Sequence, residues 1–224
     1  MGKKFFEEIE LFLFDMDGLL FDTETIYVGY GREVAKKMGY TITKDIVEKT
    51  TGVTDDKARI LFKESLGQEF PYDEMMGTVK DHILELAKKS EVPLKPGALE
   101  LLEFLRENNK EMILATSSDL FMAEALINGK DLKKYFSHFV TAEDVVHGKP
   151  DPEVFLIGAK KAGVSPEKTV VFEDSFNGIR AAHAAGTFPI MVPDKLKPTE
   201  EIEKLVYKKF NSLVEVLDYF KGNN

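Results

Sequence analysis

Residues 9–18 read Ile9-Glu10-Leu11-Phe12-Leu13-Phe14-Asp15-Met16-Asp17-Gly18, a short Phe-rich apolar run that stops at an acid. A continuous apolar run of this length reads as a strand buried on both faces. Similar runs recur far downstream at 111–115, 169–172 and 188–192, with a shorter one at 139–141. Between them, residues 99–107, 121–127, 152–162 and 178–185 carry apolar side chains at helical spacing. Strands alternating with helices predict an α/β chain, a parallel sheet with helices on both faces.

The stretch 23–89 breaks this rhythm. It shows helical patterns at 23–38, 44–50, 55–66 and 72–89, and no strand pattern interrupts them. An all-helical insertion after the first strand is the simplest reading. Pro93 and Pro96-Gly97 mark the return to the α/β core. Such an insertion sits over the C-terminal end of the first strand, where open α/β sheets bind ligands.

The 224 residues, 43 % of them hydrophobic and including 17 Phe, suffice for one packed core with a modest insertion. With a net charge of −9 there is no basic footprint for nucleic acid, and an anionic substrate has to be met by a locally placed cation. The absence of cysteine excludes disulfides, thiolate catalysis and Cys-ligated zinc. His82, His138, His147 and His183 are scattered without zinc-helix spacing and read as structural or exposed. Acids follow Met1 too soon for a signal peptide, position 6 is Phe where a myristoylation signal needs Ser or Thr, and no apolar run matches a membrane span. The expectation is a cytoplasmic monomer acting on a small molecule, with no nucleic-acid or membrane partner.

Four short motifs carry chemistry. In Asp15-Met16-Asp17-Gly18 the two acids stand two apart after a strand and face one site. One carboxylate can attack phosphorus, and the other can protonate the leaving oxygen and then activate water. Acid-x-acid alone is a weak signal, arising about seven times by chance in a chain of this composition. Glu173-Asp174 also follows a strand and suits Mg²⁺, which prefers one or two carboxylates plus waters and substrate oxygens. Thr116-Ser117-Ser118 offers hydroxyl and backbone donors to a phosphate. Lys149, between Gly148 and Pro150, can neutralise a phosphoryl group and damp repulsion among the carboxylates.

Each motif alone also has an ordinary structural explanation. The first could be a solvated turn, the second and third helix caps (Ser118 or Asp119 for the third), and Lys149 an exposed loop residue. Together, placed at predicted strand ends, they supply a nucleophile, an acid/base, metal ligands, phosphate donors and a counter-cation. That is the set phosphoryl transfer requires.

These motifs, in this order, resemble the haloacid dehalogenase-like superfamily of phosphatases, and the likeness spans nearly the whole chain. Residues 12–24 (FLFDMDGLLFDTE) and 171–186 (VFEDSFNGIRAAHAAG) resemble its subgroup with a helical cap after the first motif. The resemblance implies a Rossmann-like core over 1–20 and 92–224 and a mobile cap over 21–91. It also implies Asp15 as nucleophile and Asp17 as general acid/base. Mg²⁺ would be held by Asp15, the Asp17 carbonyl and Asp174 with Glu173 in support, and the phosphoryl group by Thr116 and Lys149.

Within the subgroup the chain is similar to sugar-phosphate phosphatases and to β-phosphoglucomutases. The mutases grip a second phosphate with a cap-loop Arg and a Lys-Asn pair after the second motif. Here Asp55 stands in the Arg position, and Asp119-Leu120 replaces Lys-Asn. The expectation is therefore a Mg²⁺-dependent phosphatase working through an aspartyl-phosphate, with the mutase as the alternative. Ser117, Glu24 and Thr54 are the expected substrate contacts, within a wider set of cap residues (Thr23, Tyr27 and 51–54) expected to select the substrate. His147 and Asn177, beside motif residues, are expected to be structural.

Overall fold

The computed structural model describes residues 2–222. Helix α1 (Gly2–Glu8) leads into strand β1 (Leu11–Phe14), and the helices α2 (Thr23–Lys37), α3 (Lys44–Thr50), α4 (Asp55–Leu66) and α5 (Tyr72–Lys88) follow without a strand. The chain then runs α6 (Ala98–Glu107), β2 (Glu111–Ala115), α7 (Leu120–Gly129), β3 (His138–Val140), α8 (Glu153–Ala162), β4 (Thr169–Glu173), α9 (Phe176–Ala184) and β5 (Phe188–Met191). It ends with α10 (Glu200–Leu205), β6 (Lys208–Lys209) and α11 (Leu213–Lys221). The pattern-based strands and helices are recovered within a few residues; α1, α10, β6 and α11 are additions to them.

The sheet has six parallel strands in the order β3-β2-β1-β4-β5-β6. β1 is central, with Phe14 level with Leu114 on one side and Phe172 on the other. The chain fills one side of β1 with β2 and β3 and the other with β4 to β6. The strand order thus reverses at β1, and the crevice such a reversal opens lies at the C-terminal ends, where Asp15 emerges.

Why β1 is wholly apolar follows from its position. All of Leu11–Phe14 is buried. Phe12 and Phe14 face one layer, which includes residues of α6, α7 and α11, while Leu11 and Leu13 face α8 and α9. Phe12 lies 6.0 Å from Phe172 and 5.8 Å from Phe220 between ring centroids, and Phe6 packs 5.2 Å from Phe220. This aromatic cluster takes four of the 17 Phe.

In the insertion, α2 packs on α5 around Val34, Val79 and Ile83. The two crossings between insertion and sheet run side by side: Asp22 N–H donates to Pro93 O (2.9 Å) and Lys95 N–H to Leu20 O (2.8 Å). Leu19, Leu20, Phe21 and Val92 bury the base of the insertion in the same apolar cluster as the sheet face.

Truncating Phe220 to Ala should cost about 3–5 kcal/mol, read as a lower urea midpoint at unchanged m-value. A loss below about 1 kcal/mol would mean that α11 is not a wall of this core.

Candidate active site

Asp15 leaves β1 with its N–H donating to Phe172 O at 3.1 Å. The chain then turns sharply: Leu20 and Phe21 both donate to Met16 O, and Gly18 N–H donates to Phe21 O at 2.9 Å. Gly18 has φ +79°, and a Cβ there would come within 2.3 Å of an Asp174 carboxylate oxygen. The turn therefore needs glycine both for its backbone and for the approach of Asp174. Asp17 accepts hydrogen bonds from Thr23 Oγ1 and Ser118 Oγ, each at 2.7 Å, which fixes its carboxylate between the insertion and the β2 end.

Lys149 is the central cation. It does not sit at a strand end, as the motif reading had it; it lies in the loop between β3 and α8, and its buried side chain reaches back across the site. Nζ donates to Asp15 Oδ1 (2.5 Å), Glu173 Oε1 (2.6 Å) and Ala115 O (3.2 Å). Glu173 Oε2 accepts from the backbone and hydroxyl of Ser175 (3.0 and 2.9 Å). A Cβ at position 178 would fall 1.8 Å from the Glu173 carboxyl carbon, so only glycine lets α9 rest on that group. The two acids of the pair thus divide: Glu173 is fully buried against Lys149, while Asp174 lines the cavity.

Burial pushes the Asp15 carboxyl up, with Lys149 opposing and Glu173 and Asp17 adding to the rise. Asp174 is raised well above its ordinary value by burial, then by Glu173, Asp15 and Glu24. Burial alone would lower the Lys149 ammonium, but Asp15 and Glu173 more than offset it and keep the lysine protonated. One ammonium thus serves the two buried carboxyls of Asp15 and Glu173, with the half-buried Asp174 beside them. Oxygens of Asp15, Glu173 and Asp174 lie within 4.8 Å of one another. An all-oxygen donor set with excess negative charge fits a hard divalent cation such as Mg²⁺.

A cavity of about 400 Å³ opens over this cluster, lined by Asp15, Asp17, Thr116, Ser117, Lys149 and Asp174 from the sheet side and by Glu24 and Thr54 from the insertion. Every expected catalytic, metal and substrate-contact residue except Glu173 borders it; of the wider cap set, residues 51–54 do, whereas the buried Thr23 and the half-buried Tyr27 do not. Thr116 is buried and its hydroxyl accepts from Ser118 N–H (3.0 Å). Asp119, not Ser118, caps α7, accepting from Met122 N–H at 2.8 Å.

Sequence reading missed Asp194 and Lys195, which follow β5 and also line the cavity. Asp194 pairs with Lys95 at 2.7 Å, and its second oxygen is buried without a hydrogen-bond partner among the described residues. Lys195 donates to Thr25 Oγ1 on α2 (2.9 Å). Asn177, read as structural, borders the cavity too, and its side-chain amide donates to Gly52 O (3.4 Å), joining α9 to the loop before α4. The signal that could have found Asp194-Lys195 was the same one used for the other motifs, charged residues shortly after a sheet strand.

Residues 9–186 match the family described as haloacid dehalogenase-like hydrolase. The chain belongs to that family. It is 36 % identical over 182 residues to a phosphorylated carbohydrates phosphatase of Thermotoga maritima, covering 80 % of this chain and 82 % of that one. Hexitol phosphatase B of Escherichia coli K12 is 31 % identical over 206 residues, covering 91 % and 92 %. The structure of a β-phosphoglucomutase from Clostridium difficile superposes with a TM-score of 0.73 at 24 % identity, over 96 % and 98 % of the chains, and shows the shared fold. Among the described residues no helix is long and apolar enough to cross a membrane.

Glu24 provides a pH signature. Burial, then Asp17, Asp194 and Asp22, hold its carboxyl up to about 7 from an ordinary 4.5, against the pull of Lys195. A carboxyl raised in the fold keeps its proton where the unfolded chain has lost it, so it takes stability away as pH rises from about 4.5 to 7. In EDTA, Glu24→Gln should therefore gain about 1–2 kcal/mol over wild type at pH 8 and nothing near pH 4.5. Thermal melts at the two pH values check this; equal differences at both would refute it.

Proposed function

We propose that this chain is a Mg²⁺-dependent phosphatase of small phosphorylated metabolites, sugar phosphates among them, and that it works through an aspartyl-phosphate on Asp15. The observation that carries the reading is the convergence of Asp15, Asp17, Thr116, Lys149 and Asp174 on one cavity at the reversal of strand order. The names of the relatives that cover most of the chain agree with it. Residues 21–91 would form the cap, with 1–20 and 92–224 as the core.

In this reading Lys149 holds Asp15 Oδ1 and leaves Oδ2 to attack phosphorus. As the Oδ2–P bond forms, the ester P–O bond breaks, and Asp17 gives its proton to the leaving oxygen. Thr23 and Ser118 hold the Asp17 carboxyl in place for this step. In the second half, Asp17 takes a proton from water as that water attacks phosphorus. The P–Oδ2 bond breaks, phosphate leaves and Asp15 is restored. Thr116, Ser117 and Lys149 would hold the phosphoryl oxygens, Lys149 by exchanging one of its three present acceptors for a phosphoryl oxygen. Asp15, Asp174 and the Asp17 carbonyl would hold Mg²⁺, with Glu173 supporting the set through Lys149; when bound, the ion would neutralise charge that the carboxylates would otherwise repel. Against a mutase stands the cap-loop acid: Asp55 borders the cavity where a second phosphate would need a cation, and it is engaged by Tyr72 and Arg59.

Asp15→Asn should lower phosphate release from a panel of sugar phosphates by about 10⁴-fold or more, and EDTA should stop it until Mg²⁺ is restored. Asp15-independent release would sink the nucleophile assignment. Interconversion of glucose 1-phosphate and glucose 6-phosphate without free phosphate would establish the mutase instead.

A further inference from the structure

A side cavity of about 210 Å³ adjoins the catalytic one and has no residue of the insertion in its lining. It shares residues 116–117 and 148–149 with the catalytic cavity, and the rest of its lining is apolar, from the loop after β3 and the start of α8. Two of those apolar residues, Ala142 and Val146, are exposed, Val146 by 81 %. An outer groove of about 470 Å³ shares Val146 and adds His147 and Lys160. The two carboxylates of that groove are already engaged. Glu153 accepts from the Val146 and His147 N–H groups (3.0 and 2.8 Å), and Asp151 accepts from the Glu153 N–H (3.0 Å). The three cavities thus adjoin in a row, from Thr116 to the surface at Val146.

Charge separates this way out from the mouth. An anion leaving by the mouth passes Glu24, Asp55 and Asp194. Among the described residues the side cavity is lined by no carboxylate, and its one ionisable residue is Lys149. A dianion is repelled along the first path and drawn into the second. The shared wall is also open. A Cβ on Gly148 would meet nothing within 4 Å, so packing does not require glycine there, and Gly148 borders both cavities. The Ser117 hydroxyl and the N–H groups of Ser117 and Gly148 have no partner among the described residues, which leaves three donors for an anion passing between the cavities. Ser117 and Lys149 would hold phosphoryl oxygens from the side, off the line that runs from Asp15 through phosphorus to the leaving group. Water standing in the side cavity is therefore not in line to attack.

We propose that orthophosphate leaves through this side cavity, a product site separate from the mouth by which the ester enters and the alcohol departs. This rests on the phosphatase reading and adds a second opening to it. Phosphate exit then requires no movement of the insertion.

Oxygen exchange reads phosphate release. Fully ¹⁸O-labelled phosphate is given to the protein with Mg²⁺ in ordinary water. Bound phosphate reverses the second half-reaction: Asp15 Oδ2 attacks phosphorus, a P–OH bond breaks, and Asp17 gives its proton to the departing hydroxyl, which leaves as water. Ordinary water then attacks in its place. The more slowly phosphate leaves, the more labelled oxygens it loses per visit. Ala142→Phe narrows the side cavity and should raise the ratio of exchange to release at least about fivefold, as should Val145→Trp, should the first variant fold poorly. The kcat/KM for ester hydrolysis should stay within about twofold, because it is fixed once the alcohol has departed. An unchanged ratio in a folded variant, no exchange by wild type or variants, or a kcat/KM that falls in step with the ratio overturns the inference. The phosphatase reading stands or falls separately, on Asp15-dependent phosphate release by the wild-type protein from any ester.

Discussion

The Lys149 ammonium buried between Asp15 and Glu173, at 2.5 and 2.6 Å, is the interaction on which the rest of the site depends. A buried charge without a partner is among the costliest features a fold can carry. Each of these three groups is tolerated only because the others are present, and they come from three separate places: the end of β1, the loop before α8 and the end of β4. The cluster therefore ties the central strand, its neighbour and a long loop to one geometry. Gly178 is part of the same constraint, since any side chain there would displace Glu173 and with it the lysine.

That constraint also explains the limits of local reading. Strands β1, β2, β4 and β5 were legible because they are buried on both faces and so are continuously apolar, and the helices because each shows one apolar stripe. The four helices of the insertion were legible from the same stripes. By contrast β6 is Lys208-Lys209, a pair at the sheet edge whose pairing with Ile190 and Met191 comes from tertiary placement and leaves no local pattern.

For the site, the acids and hydroxyls at strand ends were visible as types and spacings. What the sequence could not display was the division of labour inside them. Glu173 and Asp174 are adjacent, yet one is sealed against Lys149 and the other faces the cavity, because consecutive residues at a strand end point to opposite sides. Likewise Ser118 resembles a helix cap in sequence, but Asp119 takes that role and frees the Ser118 hydroxyl for Asp17. Asp194 and Lys195 escaped notice because they stand three and four residues beyond the end of β5, past Val192-Pro193, where the strand-end signal is weaker.

The two sides of the cavity are joined unevenly. At the base, Leu19, Leu20, Phe21 and Val92 are buried in one apolar cluster with the sheet, and the paired linkers hold two backbone hydrogen bonds. At the mouth the contacts are few: the Asn177–Gly52 hydrogen bond, the Lys195–Thr25 hydrogen bond and Leu196 against Gly52. Hydrogen bonds of this kind are worth about 1 kcal/mol each, whereas separating the apolar base would expose several large side chains at about 1.5–3 kcal/mol apiece. The cheapest way to admit a ligand is therefore to part the rim and pivot on the base, leaving the charged cluster untouched. A site that must exclude water during phosphoryl transfer, yet take in the next ester afterwards, needs that asymmetry.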